Sequence, residues 1–320
     1  MKSKNIPNKV LLVTSMIFFC FISTNVFGQV DENIKKAFDV GPGGLLTIET
    51  DLGAIEVTTA GEDSVGVGIT FRLKRGSRKR INDLLKDYDI DFRHRGNDVT
   101  VIVEHKKSRW NFWNSVAKHL DIKFLVTVPK KYNLDLKTAG GSISIADLEG
   151  EVRSSTSGGR LTFGRIKGSV FGRTSGGGVT LEGCEGNMNV KTSGGSMRIG
   201  KVTGDITAHT SGGNIDVDEV MGSINAKTSG GSITVRISQQ PQDSCVLSTS
   251  GGSITAYLAQ AIKVNLDART SGGRVKTDFP VSAIIKGEIN NHSLRGTING
   301  GGPDLYLHTS GGNIYIKGRI

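Results

Sequence analysis

A short motif that returns at a fixed interval constrains the fold of this chain more than any other feature of its sequence. The motif reads Thr-Ser-Gly-Gly-x-apolar, and a variant, Thr-Ala-Gly-Gly-Ser-Ile, opens the series. The first five intervals are 18 residues each, and intervals of 21, 21 and 39 residues follow. The last interval predicts one degenerate repeat near residues 297–300. Such self-similarity is the signature of a repeat architecture. The motif threonines are Thr138, Thr156, Thr174, Thr192, Thr210, Thr228, Thr249, Thr270 and Thr309.

Within each repeat, apolar residues occupy the same positions and alternate with polar or small ones. In the repeat that begins at Thr210 they are Ile215, Val217, Val220 and Ile224. A spacing of two residues is typical of a β-strand with one buried face, so each repeat predicts two short strands. The Gly-Gly pair and a second glycine later in the repeat predict the corners, since glycine reaches backbone angles that other residues do not.

A strand pair of this length cannot bury its apolar face alone, so the repeats must stack on one another. Successive coils then lie about 4.8 Å apart and form hydrogen bonds with each other. A core of stacked Ile, Val and Leu suits a chain with 44 glycines among 320 residues and only 6% aromatic residues. Residues 138–320 are therefore predicted to form an all-β, single-stranded β-solenoid, or β-helix, with 18-residue coils. The motif threonines share the parity of buried positions and are predicted to form an inward hydrogen-bonded threonine ladder.

The first 28 residues have the pattern of a secretory signal peptide. Lys2, Lys4 and Lys9 precede an apolar run over residues 10–22, and Gly28 lies at the predicted cleavage site. We therefore expect an exported protein of the periplasm, the outer-membrane surface or the extracellular space, without a transmembrane span in the mature chain.

Two cysteines remain in the mature chain, Cys184 and Cys245. In a stacked solenoid they lie three coils apart, about 14 Å. A disulfide requires Cα atoms about 4.4–6.8 Å apart, so we predict two free thiols.

Residues 29–137 lack the regular period and are predicted to form an irregular β segment that caps the solenoid. Strands are predicted over residues 45–57, 65–73, 90–94, 98–105 and 122–128. Two helical excursions are predicted, one over residues 79–88 and one within 106–120. The second contains Arg109, Trp110, Trp113 and Lys118, a basic and aromatic face. This face is either a membrane- or partner-binding patch or a surface that packs on the solenoid.

The repeated Thr-Ser-Gly-Gly-Ser-Ile units resemble those of bacterial exported β-strand-repeat proteins classified as putative adhesins, a domain family of unknown function. The Phe-Leu-Val-Thr-Val-Pro strand at residues 124–129 carries the same resemblance. The resemblance covers about residues 40–320 and implies binding at the cell envelope. It brings no catalytic or binding residues to carry over.

The sequence contains no recognised catalytic, phosphate-binding or metal-binding motif, so we expect no enzyme activity, no cofactor and no metal. A carbohydrate-active β-helix enzyme is the alternative from another class. Its acid and base would have to come from the irregular 270–309 interval, which contains Asp278, Glu288 and Asp304.

The most informative surface feature is the residue that precedes each motif threonine. If strand parity holds, these residues project outward at one point of successive coils and form a basic column. The formal net charge of +10 permits an acidic partner. The column either binds a linear polyanion or keeps the sheet soluble and discourages aggregation. Its candidate binding residues are Lys137, Arg173, Lys191, His209, Lys227, Arg269 and His308, and Ser155 and Ser248 take the same position in two coils.

These observations predict a non-enzymatic, exported cell-envelope protein that acts in binding or structure, in the manner of an adhesin. An acidic-polysaccharide or lipopolysaccharide receptor that uses the basic column is the more specific hypothesis. The expected partners are an envelope glycan, lipopolysaccharide or another envelope protein, and end-to-end self-association is a further expectation. Nucleic acid is not expected, because the chain is predicted to be exported and lacks a base-stacking platform.

Overall fold

The computed structural model describes residues 30–61, 63–73, 78–106, 120–283 and 291–319, which form strands and one short helix. The elements up to the first motif threonine are β1 (Val30–Asp39), β2 (Leu45–Thr50), β3 (Ala54–Thr59), β4 (Ser64–Leu73), α1 (Arg78–Leu85), β5 (Tyr88–Arg95), β6 (Asp98–His105), β7 (Leu120–Val128) and β8 (Asn133–Thr138). The regular coils contain β9 (Ile143–Ile145), β10 (Leu148–Glu149), β11 (Val152–Thr156), β12 (Leu161–Lys167), β13 (Val170–Arg173), β14 (Val179–Glu185), β15 (Met188–Lys191), β16 (Met197–Val202), β17 (Ile206–His209), β18 (Ile215–Val220) and β19 (Ile224–Lys227). The C-terminal part contains β20 (Ile233–Ile237), β21 (Cys245–Thr249), β22 (Ile254–Ala259), β23 (Val264–Thr270), β24 (Val275–Thr277), β25 (Val281–Ala283), β26 (Ser293–Ile298), β27 (Asp304–Thr309) and β28 (Ile314–Arg319).

The strands form two long sheets, and each regular coil contributes to both. Sheet 1 has the order β1-β4-β7-β3-β9-β12-β14-β16-β18-β20-β22-β28-β24, with β10 also paired to β12. Sheet 2 has the order β25-β26-β23-β27-β21-β19-β17-β15-β13-β11-β8-β2-β6-β5. The Gly-Gly corners connect a strand of sheet 2 to the following strand of sheet 1, and the inward side chains of both sheets form one hydrophobic cluster.

The regular coils stack in parallel with the 18-residue register that the sequence predicts. Val152 pairs with Val170, Val170 with Met188, Met188 with Ile206 and Ile206 with Ile224. The apolar positions point inward, whereas the polar residues between them are half-buried or exposed. The β-solenoid prediction is therefore confirmed.

The motif threonines are buried, with at most 7% of each exposed, but their hydroxyl groups do not bond to one another. Thr210 is representative: its Oγ1 donates to the carbonyl oxygen of Gly195 in the preceding coil at 2.9 Å. The same oxygen accepts a longer hydrogen bond of 3.4 Å from the N–H of Gly213 in its own coil. The predicted Thr–Thr ladder is wrong, because each hydroxyl finds a backbone partner at the adjacent corner.

The second glycine of each Gly-Gly pair is required by the close approach of neighbouring coils. A Cβ atom at these glycines would lie 1.9–2.4 Å from the backbone oxygen of the corresponding glycine in the adjacent coil. None of these glycines has a positive φ, so the expectation that the pair is needed for backbone angles closed to other residues is wrong. That expectation is correct for the other corner of some coils, as at Gly168, where φ is +144°.

The last coil of the chain lies inside the solenoid, not at its end. β27 pairs with both β21 and β23, and β28 pairs with both β22 and β24. The coil of Thr309 is therefore inserted between the coils of Thr249 and Thr270. Thr270 Oγ1 accordingly donates to Gly312 O, and Thr309 Oγ1 donates to Gly252 O, both at 2.7 Å. The edge strands at this end are therefore β24 in sheet 1 and β25 in sheet 2, and end-to-end self-association stays a prediction.

The described residues near 297–300 form no degenerate parallel coil, so that prediction is wrong. Thr297 and Ile298 end β26, which runs antiparallel to β23. The chain then turns through Asn299, Gly300 and Gly301, whose φ angles are 52°, 88° and 87°. It re-enters sheet 2 on the other edge of β23 as β27. The long interval is needed to carry the chain around this strand.

The N-terminal end has a similar arrangement. β2 lies between β6 and β8, and β3 lies between β7 and β9, so the first coil is covered by strands that follow it in the chain. β4 and β1 extend sheet 1 in antiparallel pairing, and β5 extends sheet 2. These strands cover the first edge of the parallel coils.

Most local predictions for this segment are confirmed. The strands predicted over 65–73, 90–94, 98–105 and 122–128 are β4, β5, β6 and β7. The single strand predicted over 45–57 is instead two strands, β2 and β3, because the chain turns a corner at Gly53, where φ is +125°. The first helical excursion is α1, which ends at Leu85 instead of reaching Tyr88. The second falls mainly on residues 107–119, outside the described residues.

The two cysteines lie in different sheets, Cys184 in β14 and Cys245 in β21, and both are buried free thiols. Burial raises the pKa of each thiol to about 11. Both side chains therefore act as small apolar groups of the core.

We expect Gly177→Ala to destabilise the protein by about 1–3 kcal/mol, as overpacking does in a well-packed core. The added methyl group would lie 2.1 Å from the carbonyl oxygen of Gly159 in the adjacent coil. Urea unfolding measures the change. Gly183→Ala is the matched control, because its nearest contact would be an ordinary 3.4 Å from Lys201 O. Equal losses in the two variants would contradict the close-approach explanation.

The inserted position of the last coil is tested by cysteine pairs on the outer face of sheet 2. Ser248 is the register partner of His308, and His308 is the partner of Arg269. A short bifunctional thiol reagent is expected to join Ser248→Cys to His308→Cys, about 4.8 Å away, and not Ser248→Cys to Arg269→Cys, about twice as far. Mass spectrometry of the peptides identifies the cross-linked pair. A link between Ser248→Cys and Arg269→Cys, with none between Ser248→Cys and His308→Cys, would contradict the insertion of the last coil.

Candidate functional site

The predicted basic column exists as a row of outward side chains along sheet 2. Strand pairing places its members in direct register, without a slip from β8 to β19. The order along the sheet is Glu49, Lys137, Ser155, Arg173, Lys191, His209, Lys227, Ser248, His308, Arg269 and Ser293. The order of Arg269 and His308 is reversed relative to the chain because the last coil is inserted.

Ion pairs separate the column into parts with different electrostatics. Lys137 Nζ lies 3.7 Å from Asp135 Oδ2, and Arg269 forms hydrogen bonds of 2.7 and 2.6 Å with the carboxylate of Asp267. Arg173, Lys191 and Lys227 are exposed at the surface. In the part of the chain that the structure describes, no carboxylate lies within 4.0 Å of their charged groups. The described salt bridges are Arg72–Asp31, Lys86–Asp83, Arg93–Asp91, Lys123–Glu56, Lys130–Glu149, Lys137–Asp135, Arg153–Glu151, Arg165–Asp147, Arg165–Glu182, Lys167–Glu149, Lys201–Glu219, Arg236–Asp218, Arg269–Asp267 and Arg295–Asp267. The charge of Arg173, Lys191 and Lys227 is available to a ligand.

An open groove of about 230 Å³ runs along this part of the column. It is smaller than the roughly 300–1,000 Å³ of a typical small-molecule site, and it extends over three coils. The shape suits the edge of an extended polymer better than a cofactor. The lining residues are Arg173, Thr174, Ser175, Lys191, Thr192, Ser193, His209, Thr210 and Ser211.

The serine that follows each motif threonine was not singled out by the sequence analysis. Ser175, Ser193 and Ser211 are exposed and line the groove beside the cations. In each coil the buried motif threonine lies between the column residue and the serine. Both neighbours of the threonine therefore project from the outer face and lie close to each other. The signal was present in the Thr-Ser-Gly-Gly motif, where the serine lies two residues after the column position.

His209 is half-buried between two lysines of the column. Burial has the largest effect and lowers the pKa of its imidazole below the ordinary 6.5; an interaction with Asn225 raises it in part, and the charges of Lys227 and Lys191 lower it again. Nε2 of His209 and Oδ1 of Asn225 are buried without a hydrogen-bond partner among the described residues. The imidazole is therefore neutral at pH 7 and adds a positive charge to the groove as the pH falls through this lowered pKa.

The acidic residues nearest in sequence are held away from the groove. Glu151 forms an ion pair with Arg153. Asp205 accepts a 2.7 Å hydrogen bond from the N–H of Ser223, and it precedes His209 by four strand residues, or about 13 Å. Neither carboxylate neutralises the column within these coils.

The other predicted sites fall wholly or partly outside the described residues. Arg109, Trp110, Trp113 and Lys118 lie outside the described residues, as does Glu288 of the enzyme alternative. The other two acids of that alternative are engaged separately: Asp304 with Tyr306 and Asn265, and Asp278 with the N–H of Gly318.

The described residues contain no group of three or more His, Cys, Asp or Glu side chains that could hold a metal ion. Nor do they include a helix with the length and apolar character needed to cross a bilayer.

The sequence model of the family described as Toastrack DUF4097 matches residues 46–317. No protein with curated annotation is significantly similar to the chain.

Several solved structures are similar over most of their length, at low sequence identity. A putative adhesin from Bacteroides fragilis NCTC 9343 is 15% identical, with 90% of this chain and 97% of that chain covered and a TM-score of 0.33. A putative lipid binding protein from Parabacteroides distasonis ATCC 8503 is 12% identical, with 89% and 96% covered and a TM-score of 0.35. A putative cell adhesion protein from Clostridium sporogenes ATCC 15579 is 12% identical, with 90% and 100% covered and a TM-score of 0.22.

The electrostatics of the groove predict a specific response of His209. Lys227→Gln is expected to raise the pKa of the His209 imidazole, because one of the positive charges that lower it is removed. NMR titration of the imidazole resonances measures the shift. Lys317→Gln, which removes a lysine from sheet 1, is the control and should leave the His209 pKa unchanged. An unaltered pKa in Lys227→Gln would show that the two charges are not coupled.

Proposed function

This chain belongs to the Toastrack DUF4097 family, and we propose that it is a non-enzymatic binding protein of the cell envelope that holds an acidic polysaccharide or lipopolysaccharide. The binding surface in this proposal is the basic column of sheet 2. The observation that carries the proposal is the run of cations at Arg173, Lys191 and Lys227, which lack acidic partners among the described residues. Two of them line an open groove with serine hydroxyl groups.

The charge distribution along the column favours binding over a purely solubilising role. Like charges on neighbouring strands repel one another, and an acid at an adjacent position would relieve this repulsion. Elsewhere on the column the chain has such acids, at Asp135 and Asp267. No acid occupies the position two residues before Arg173, Lys191 or Lys227. This leaves a positive potential that an anionic polymer would neutralise.

The location in the envelope is supported by the first 28 residues, which have the pattern of a secretory signal and predict export. The absence of a recognised catalytic motif supports a binding role without chemistry.

We expect the triple variant Arg173→Gln, Lys191→Gln and Lys227→Gln to bind lipopolysaccharide or polygalacturonate at least about tenfold more weakly at low salt, with a smaller salt dependence. Isothermal titration at several salt concentrations measures both effects. A matched variant with Arg165→Gln, Lys201→Gln and Lys317→Gln removes the same charge from sheet 1 and should retain most of the affinity. Equal losses in the two variants would mean that only net charge matters and would reject the column as a site.

A further inference from the structure

Four basic residues of the column form a contiguous segment that spans four coils. Arg173, Lys191, His209 and Lys227 are consecutive register partners in β13, β15, β17 and β19. Ser155 precedes the segment, and Ser248 follows it. We call these four side chains the four-coil segment. Beyond the two serines, Lys137 and Arg269 are paired with acids.

The four-coil segment has uncharged neighbours on both sides. The outward position two residues earlier in the same strands holds a phenylalanine and three polar, uncharged residues. The position two residues later holds exposed serines whose hydroxyl groups form no hydrogen bond among the described residues. The two flanking rows are Phe171, Asn189, Thr207 and Asn225, and Ser175, Ser193, Ser211 and Ser229.

The spacing of the segment restricts the ligand that fits it. One Arg, Lys or His side chain is presented per coil, or about every 4.8 Å, over a distance of about 14 Å. A sugar residue in an extended polysaccharide is about as long as one coil rise. A strand of duplex DNA carries a phosphate about every 3.4 Å along the axis, so its charges drift out of step with the cations by about one position over the segment.

We propose that the four-coil segment binds a linear acidic polysaccharide with one carboxylate per sugar residue, lying parallel to the solenoid axis with one sugar per coil. This inference rests on the proposed function and adds the class and length of the ligand. Arg173 presents a guanidinium that pairs with a carboxylate through two hydrogen bonds, whereas Lys191 and Lys227 act as point charges. The serine row supplies hydroxyl groups for the sugar hydroxyls.

His209 makes the third of the four positions dependent on pH. Its imidazole faces Lys191 and Lys227 from the neighbouring strands, Asn225 from β19 and Ser211 at its own corner. When protonated it completes the row of four cations, and a bound carboxylate favours that protonated form. Binding to the segment therefore tightens as the pH falls towards the lowered pKa of this histidine.

The proposal is tested with oligogalacturonates of two to eight sugar residues, titrated into the purified full chain. Affinity is expected to rise with each sugar up to four residues and then to level off. Lys191→Gln should weaken the binding of the tetramer by about two- to fivefold, the range of one exposed ion pair. Lys317→Gln, which removes a lysine from sheet 1, is the matched control outside the column and should leave the tetramer affinity unchanged.

A variant that gains binding length gives the sharpest test. Ser155 is the register partner of Arg173, so Ser155→Lys adds a fifth basic position to the segment. The plateau should then move from four sugars to about five. A native affinity that keeps rising beyond four sugars, or a plateau that does not move in Ser155→Lys, would overturn the four-coil segment.

The outcomes also separate this inference from the proposed function. Binding of lipopolysaccharide but not of any oligogalacturonate would reject the ligand class and leave the basic column as a polyanion site. If oligogalacturonates of every length from two sugars upward bind equally, the four-sugar length is rejected and the ligand class is kept. Failure of every acidic polymer to bind would reject both the inference and the proposed function.

Discussion

The close approach of neighbouring coils at the Gly-Gly corner is the contact on which the rest of the structure depends. The second glycine of each pair leaves no room for a Cβ atom against the backbone of the adjacent coil. The buried motif threonine stabilises the same corner by donating a hydrogen bond to the carbonyl oxygen of the second glycine in the adjacent coil. Thr192 Oγ1, for example, donates to Gly177 O at 2.7 Å. The corner therefore sets both the distance and the register between coils, and the apolar side chains stack behind it.

A fixed register has a direct consequence for the surface. Because each coil repeats the position of the last, one outward residue per coil generates a straight row of side chains at the spacing of β-strands. The buried Thr192 separates Lys191 from Ser193, which places the cation and the serine hydroxyl on the same outer edge. The groove thus arises from the contact that holds the coils together, and its charge depends on the residues that precede the threonines.

The sequence predicted the regular part of the fold because its information is local and repeated. The alternation in a coil such as 210–227 identifies its strands and buried face, and the basic column follows from the same parity. The sequence did not predict the hydrogen-bond partner of Thr210 or the position of the coil of Thr309. Every coil presents a similar apolar face and a similar corner, so the pattern fits several stacking orders equally well.

The sequence by itself determined the coil length, the inward and outward positions, and the residue type at each point of the column. Only the tertiary structure decided which coils are neighbours at the two ends, and which cations are neutralised by an acid two residues earlier in the same strand. These properties depend on strand pairing between residues far apart in the chain and on the directions of individual side chains. Lys137 and Lys191 occupy equivalent positions in the repeat, yet an ion pair with Asp135 distinguishes them.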